Sequence, residues 1–330
     1  MDRYLVIFIT VMIILFINYW AAIVYSRMKV RDFETKEGFS SEDKEDKEKE
    51  KSEAESTVVK WLEPPELFDD FYCQVYDQLT QSSIRLQAEV GLALHAFKAK
   101  GALIESMTFL DAGCGSGIAT AALAKLNPKK VIAVDLSKSM IQRTKKITLE
   151  DSTLTQAQKD RIEFREGNLL DAGIIKPGEI THAICLYFVI YYMRDIEAFF
   201  RNMFVWVRPG GMMAIEVVNK YKFDPMLDSA SPFVAFSMQK YAKERIRKSE
   251  VTFDGFKYEG VFDLFDPVAE FRETFRFKDG SVRRQKHILT MPAISEIVKT
   301  AQVVGWKYDS YVDLTAVGFE YAYLLLFTHP

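Results

Sequence analysis

Cysteine and histidine are scarce, with three of the first and four of the second in 330 residues. Cys73, Cys114 and Cys185 are odd in number, widely spaced and without a CxxC pair, which excludes a disulfide scaffold and a structural zinc site and fits a reducing compartment. His95, His182, His287 and His329 show no HxxxH spacing, so no metal is expected. An excess of either charge is also missing. The 43 basic and 46 acidic residues leave a net charge of −3. That balance argues against gripping nucleic acid by bulk charge, and no nucleic-acid partner is expected. Wholesale disorder is excluded by 48% hydrophobic and 27% charged residues, and the length allows about two domains at ~150 residues each.

One long apolar run is present. Tyr4 to Tyr25 spans 22 residues in which only Thr10 and Asn18 are clearly polar. As a helix it reaches roughly 33 Å, enough for a bilayer core of ~30 Å. Tyr19, Trp20 and Tyr25 cluster at its far end, and Arg27, Lys29 and Arg31 follow, whereas Arg3, offset by Asp2, is the only base before it. This pattern predicts a single-pass transmembrane anchor over residues 1–30 with the remainder cytoplasmic. The competing reading is a cleaved signal peptide, against which stand the length of the run, the thin leading basic region and the position of the basic cluster. Residues 31–60 read as a charged, disordered linker: Ser40 to Glu55 holds eight acids and four lysines.

From Trp61 to Pro330 the pattern is that of a folded domain. A helix is expected over Ile84–Lys98. Strands and helices then alternate through Met107–Asp111, Ile118–Leu126, Val131–Asp135, Ser137–Ile147, Ile162–Arg165, His182–Leu186, Asp195–Val207 and Met212–Val218. After an interruption the alternation resumes with Pro292–Val304, Lys307–Asp313 and Tyr321–Thr328. Such alternation implies a parallel sheet flanked by helices.

Met107 to Gly117 reads as a buried strand, a glycine-rich turn and the start of an alanine-rich helix, where bare backbone and free N–H groups admit a ligand. The next strand ends in Asp135, 20 residues after Gly115, as a βαβ unit spanning a nucleoside requires. The glycines run GxGxG rather than the GxGxxG of dinucleotide folds, and Asp111 precedes them by two residues. A carboxylate there repels a pyrophosphate and suits an ammonium or sulfonium cation.

On these residues the chain resembles the class I S-adenosylmethionine-dependent methyltransferases. Phe109–Gly117 is similar to their first motif and Asp135 to their ribose-binding acid. Ile162–Asn168 resembles the third-strand motif that brackets adenine, and Arg208-Pro209-Gly210-Gly211 the turn before the fifth strand. The likeness spans about Phe71–Val218 and Lys286–Thr328 and is nearest the small-molecule enzymes of the quinone-biosynthesis type. It implies a doubly wound, mostly parallel, seven-stranded α/β sheet of Rossmann-like form with an α+β insertion over Asn219–Gln285. It implies S-adenosylmethionine as cofactor and a small-molecule or lipid-like acceptor. Asp111, Gly113, Gly115 and Gly117 would line the methionine half, Asp135 the ribose, and Asn168 with Leu169 the adenine. Tyr72 and Tyr76, on an entry helix, are candidates to cap the methionine end.

Departures from the family pattern bear on the acceptor. Asn168 stands where the adenine-edge residue is usually Asp, and His182 replaces the acid that often opens the fourth strand. The fourth strand ends Cys185-Leu186-Tyr187, without the signatures of amino-directed or cytosine-C5 nucleic-acid methylases. Tyr191, Tyr192 and His287 are the candidate catalytic residues, each set against plain packing or a surface position; Cys114 reads as a small filler. Two other functions remain open at this point: an NAD(P)-dependent oxidoreductase, disfavoured by GxGxG with Asp111, and a catalytically silent membrane-bound module.

The insertion is expected to be a substrate lid, with a helical stretch near Pro232–Lys248 and then strands. Asp279-Gly280 signals a two-residue hairpin turn, which pairs Phe277 with Val282 on a buried face and sets Arg276 opposite Arg283. Arg272, Arg276, Lys278, Arg283, Arg284 and Lys286 make the hairpin basic over 272–286, and an anionic lipid is its candidate partner.

Overall fold

The computed structural model describes residues 61–80, 83–101, 103–223 and 245–330. The expected anchor, linker and most of the expected helix over 232–248 lie outside the described residues. Where that helix would end, Arg245–Arg247 are irregular and Lys248 already begins a strand. No helix among the described residues is long and apolar enough to cross a membrane.

The chain enters through helices α1 (Asp70–Thr80) and α2 (Ser83–Ala99). Then come β1 (Thr108–Ala112), α3 (Ile118–Lys125), β2 (Lys130–Asp135), α4 (Lys138–Glu150), the short α5 (Gln156–Lys159) and β3 (Ile162–Glu166). β4 (Ile180–Cys185), α6 (Ile196–Trp206) and β5 (Val207–Val218) follow. The local causes are those of the sequence. Ser137 caps α4 by accepting from the Met140 N–H, and Asp195 caps α6 by accepting from Ala198 at 2.8 Å. The apolar face of α6 sinks Phe199, Phe200 and Met203 into the core.

After the insertion the chain returns through α7 (Ile294–Val304), β10 (Lys307–Asp313) and β11 (Ala322–Thr328). The seven strands lie in the order β3-β2-β1-β4-β5-β11-β10, parallel except that β11 runs antiparallel to both its neighbours. The expected doubly wound, mostly parallel sheet is therefore the observed one. β5 starts earlier than expected because Val207 pairs with Ile180 before the Arg208–Gly211 bulge. Gly211 has no room for a side chain, since a Cβ there would lie 2.3 Å from the Thr181 carbonyl oxygen. Winding reverses between β1 and β4, the switch point where open α/β sheets leave a crevice.

The insertion forms a second, antiparallel sheet of β6 (Lys248–Thr252), β7 (Phe256–Phe265), β8 (Val268–Phe277) and β9 (Val282–Thr290). Its last strand runs past the expected boundary at Gln285. α1 joins the two sheets. It packs Tyr72, Val75 and Leu79 against Tyr258 and Phe275 of the insertion, while Asp77 pairs with Arg143 of α4 at 3.0 Å.

The hairpin differs from expectation by one residue. Arg276 lies opposite Val282 and Phe275 opposite Arg283, so Arg276 and Arg283 do not meet. The turn has three residues, not two: Phe277 N–H donates to Ser281 O, Gly280 N–H donates to Phe277 O, and Gly280 holds φ +85°. Asp279 favours the longer turn by accepting from both the Ser281 N–H and hydroxyl. Since side chains alternate with period two, this slip moves Val282 to an exposed position. The like-charged pair that does face across the strands is Arg272 with Lys286. Each has its own carboxylate, Asp263 and Glu63, and Arg283 has Asp69. With this register, Arg276→Cys combined with Val282→Cys should oxidise to a disulfide in the folded protein, because residues opposite in a non-hydrogen-bonded pair bring their Cβ atoms together. Arg276→Cys with Arg283→Cys should stay reduced. Mass spectrometry under non-reducing conditions reads the difference, and the reverse result would restore the two-residue turn.

Candidate active site

β1 and β2 run side by side, with Asp111 opposite Ala133, and end at the switch point. The Gly113 and Cys114 N–H groups both donate to the Val134 carbonyl, each at 2.9 Å, which pins the loop to β2. Gly113 has φ +75°, and a Cβ there would strike the Val189 methyls at 2.6 Å. Gly115 also has positive φ but open space around it. The Asp135 carboxylate braces this loop from below, accepting from Gly115 N–H and Ser137 N–H at 2.9 Å each. Burial raises the Asp135 carboxyl, and those two backbone donors oppose the rise. Asp111 is worse served. It is 2% exposed, takes a hydrogen bond from the Thr120 hydroxyl at 2.6 Å, and is pushed by burial up to about 7. A carboxyl held there near neutrality suits a cationic neighbour.

Asp111, Gly113, Gly115, Asp135, Asn168, Leu169, Tyr72 and Tyr76 line one cavity of about 730 Å³. Gly117 does not. It begins α3 at φ +90°, and a Cβ there would meet Thr144 of α4 at 2.7 Å, so its role is close helix packing. Asn168 uses its amide oxygen to accept from the Leu170 N–H at 2.9 Å, an Asx turn that shapes the rim. Cys114 is buried beside the Thr144 hydroxyl, and burial pushes its thiol up, as suits a filler. His182 packs on Phe97 away from the cavity, and burial lowers it to about 4.

Of the three candidate catalytic residues, Tyr192 and His287 line the cavity and Tyr191 does not. Tyr191 is buried, its hydroxyl accepting from the Val218 N–H at 2.8 Å, which is a structural bond. His287 is neither a surface residue nor isolated. It is 3% exposed, with the Tyr192 hydroxyl 2.6 Å from Nδ1 and Glu273 Oε2 2.7 Å from Nε2. Phe262, Phe271 and Leu289 of the insertion sheet complete this wall. Glu273 carries no motif, and only the contact across the β8–β9 pairing discloses it.

A buried ion cluster behind the cavity also went unread in the sequence. Arg85 of α2 binds Glu216 of β5 and donates to Glu89 at 2.8 Å, while its guanidinium lies 4.2 Å over Phe319 and 5.1 Å over Tyr187. Glu216 accepts from the Tyr187 N–H as well. Burial, then the neighbouring Glu216 charge, pushes the Glu89 carboxyl up to about 8. A carboxyl raised on folding contributes stability that is complete at low pH and is lost as pH climbs from the unfolded value, near 4.5, through about 8. Thermal melting should therefore fall between pH 5 and pH 9 in the wild type. Glu89→Gln, which keeps an acceptor for Arg85 without the charge, should lose less over that range; an equal loss would place the titration elsewhere.

With this geometry in place, comparison with known proteins is informative. The family described as Methyltransferase domain matches residues 85–253, just over half the chain. Ribosomal protein L11 methyltransferase of Alkaliphilus metalliredigens is 32% identical over 112 residues, 34% of this chain and 34% of that protein. The mitochondrial ubiquinone biosynthesis O-methyltransferase of Dictyostelium discoideum is 26% identical over 122 residues, 36% of this chain and 37% of that one. The chain thus matches these curated relatives over about a third of their length. An S-adenosylmethionine-dependent methyltransferase from Clostridium acetobutylicum has the same fold, with TM-score 0.59, 15% identity, 78% of this chain covered and 97% of that one. The family match runs through the glycine loop, both strand-end acids and the whole of β5. The chain belongs to the methyltransferase-domain family.

Proposed function

We propose that this enzyme methylates a small apolar or lipid-like acceptor held between the glycine loop and the insertion sheet. The carrying observation is a single cavity: Asp111 and Asp135 open into the same space as Phe262, Phe271 and Leu289. At about 730 Å³ it lies within the range of ligand sites, roughly 300–1,000 Å³. The residues fit the cofactor. Asp111 offers a buried carboxyl to its cationic end, Gly115 leaves open backbone, and Asp135 has lone pairs beyond its backbone bonds for ribose hydroxyls. Leu169 and the Asn168 turn offer an apolar rim for adenine. Gly117 leaves this set and acts through packing.

When bound, S-adenosylmethionine supplies an already activated methyl group. The chain's task is then to align the acceptor and exclude water, and the aromatic wall does the latter. The names of the relatives support a methyl acceptor of some kind but disagree on which, one naming a ribosomal protein and the other ubiquinone biosynthesis. The apolar chamber favours the small molecule.

The affinity for the cofactor should depend on pH through Asp111. Its carboxyl, near 7 when empty, must ionise to face a cation, so affinity is full above about 7 and falls roughly tenfold by pH 6. Calorimetry with S-adenosylhomocysteine from pH 6 to 8 reads this, with NADH as the control that should not bind. Asp111→Asn should bind more weakly and without that slope. Asp135→Ala should lose roughly ten- to hundredfold, since hydrogen bonds to a charged group are worth about 1.5–3 kcal/mol each. An unchanged slope in Asp111→Asn, or unchanged affinity in Asp135→Ala, would remove these residues from the cofactor site.

The reading includes a tether. The apolar run Tyr4–Tyr25 with its trailing bases supports a single-pass anchor, the catalytic domain on the cytoplasmic side and an acceptor drawn from the bilayer. The basic hairpin adds less to membrane contact than its composition promises, because Arg272, Arg283 and Lys286 face carboxylates. Arg276 and Lys278 at the exposed tip, with the half-buried Arg284, are the residues left to meet anionic headgroups. The full chain should resist carbonate extraction, and a tag after Pro330 should be protected from lumenal or external protease. Release by carbonate, or a tag cut from the far side, would remove the tether or reverse its orientation.

A further inference from the structure

Three side chains from three separate elements form one hydrogen-bonded line on the insertion wall of the chamber. Tyr192 stands in the turn Val189–Tyr192 after β4, His287 on β9 and Glu273 on β8. The strand register sets Phe271 opposite His287 and Glu273 opposite Gln285, so Glu273 and His287 are diagonal neighbours on one face. Glu273 is fully buried, yet well served: it accepts from Gln285 Nε2 at 2.6 Å, from the Tyr258 hydroxyl at 2.7 Å, and faces His287 Nε2 at 2.7 Å. Burial alone would raise its carboxyl, but His287, Gln285 and Tyr258 outweigh that and hold it below the usual range.

These contacts fix the direction of the protons. An ionised carboxylate has only acceptor sites, so the proton between Glu273 and His287 sits on Nε2. In the neutral imidazole Nδ1 is then the acceptor, and the Tyr192 hydroxyl donates to it. The Tyr192 oxygen keeps lone pairs, and both Tyr192 and His287 border the chamber. Tyr72 is the remaining titratable neighbour, its hydroxyl 3.3 Å from Nε2, with burial, then Glu273, raising its ionisation well above the usual value so that it stays neutral.

We propose that Tyr192, His287 and Glu273 form a proton relay serving a hydroxyl acceptor, so that the atom methylated is an alcohol or phenol oxygen. This rests on the chamber being the acceptor site as read above. Transfer of a methyl cation to a hydroxyl oxygen gives an ether and releases one proton, which must be placed. The acceptor O–H gives its proton to the Tyr192 oxygen as the new O–C bond forms, and Tyr192 gives its own to Nδ1. The products are the methyl ether, the neutral thioether of the spent cofactor, and an imidazolium facing Glu273, which returns its proton to water. Nothing is oxidised or reduced. A neutral amine would need no such base before attack.

The test uses the full chain and release of S-adenosylhomocysteine, with 4-butylphenol, its more acidic 2,6-difluoro analogue and 4-butylaniline as acceptors of one shape. The phenols should be methylated, and any turnover of the aniline, which needs no base, should not depend on the relay. Glu273→Gln and His287→Asn should lower kcat for 4-butylphenol by about 10²- to 10⁴-fold with little change in KM, the range general-base catalysis supplies. The difluoro analogue, which ionises without help, should recover most of that loss, an effect that a purely structural network would not produce. Binding of S-adenosylhomocysteine should be unchanged in both variants, which separates the relay from the cofactor site. Nitrogen NMR of the histidines should find His287 protonated on Nε2. Turnover of the aniline alone or of no probe, equal loss on both phenols, or a proton on Nδ1 with Nε2 bare would overturn the relay. Failure of the wild type to bind S-adenosylhomocysteine would overturn the reading beneath it.

Discussion

The loop that carries Tyr192 is held by one buried carboxylate. Glu216 lies near the end of β5, 1% exposed, and its two oxygens are divided between Arg85 and the Tyr187 N–H. Tyr187 and Phe188 are both left-handed, at φ 51° and 65°, a conformation costing side-chain-bearing residues about 1–3 kcal/mol each. A hydrogen bond to a charged acceptor is worth about 1.5–3 kcal/mol, enough to offset much of that strain. Arg85 ties the same carboxylate to α2, so an entry helix, a central strand and the chamber wall share one electrostatic knot. The surrounding residues make its burial tolerable, through Glu89 keeping a proton and through the faces of Tyr187 and Phe319.

Asp111 and Asp135 end neighbouring strands at one edge of the sheet, where mutual repulsion is expected. The fold treats each differently. Asp135 is satisfied by backbone donors and shapes the loop. Asp111 is served by Thr120 alone, through its hydroxyl and its backbone N–H, and burial dominates its ionisation. A carboxyl left in that condition costs stability, and such costs persist where a ligand repays them. The difference supports the proposed division, with Asp111 facing a cation and Asp135 neutral hydroxyls.

Much of this was legible in the chain. The sheet and its helices follow from apolar periodicity, because burial of a strand or helix face is a local pattern; the expected span Lys307–Asp313 is the observed one. The glycine loop and Asp135 were legible because strand, turn and acid lie within one βαβ unit. What was hidden is what only tertiary pairing makes. Glu273 and His287 are ordinary residues until β8 and β9 are set in register, and Arg85 finds Glu216 across 131 positions. The hairpin slipped for a related reason: a two-residue turn and a three-residue turn share the same Asp-Gly signal, and the Asp279 bonds to Ser281 decide between them. Gly117 looked like a ligand glycine because it continues the run of Gly113 and Gly115, which line the cavity, yet the crossing of α3 and α4 at Thr144 is what excludes a side chain there.

Two buried carboxyls, Asp111 on the chamber wall and Glu273 behind His287, are displaced in opposite directions: Asp111 upward to about 7, Glu273 below the usual range. Both are enclosed to a similar degree, so burial does not separate them. Donor supply does: Glu273 has Tyr258, Gln285 and His287, while Asp111 has Thr120. A carboxyl that can hold its proton waits for a cation to displace it, whereas one that is ionised throughout can stabilise a proton arriving on its neighbour. Paired groups pushed apart in this way mark a division of roles within a site. Here the division follows the architecture, the labile acid on the parallel sheet that families of this fold share and the fixed charge on the antiparallel sheet inserted after β5. On the proposed reading, acceptor chemistry belongs to the insertion, and residues there, more than those of the glycine loop, would govern which atom receives the methyl group.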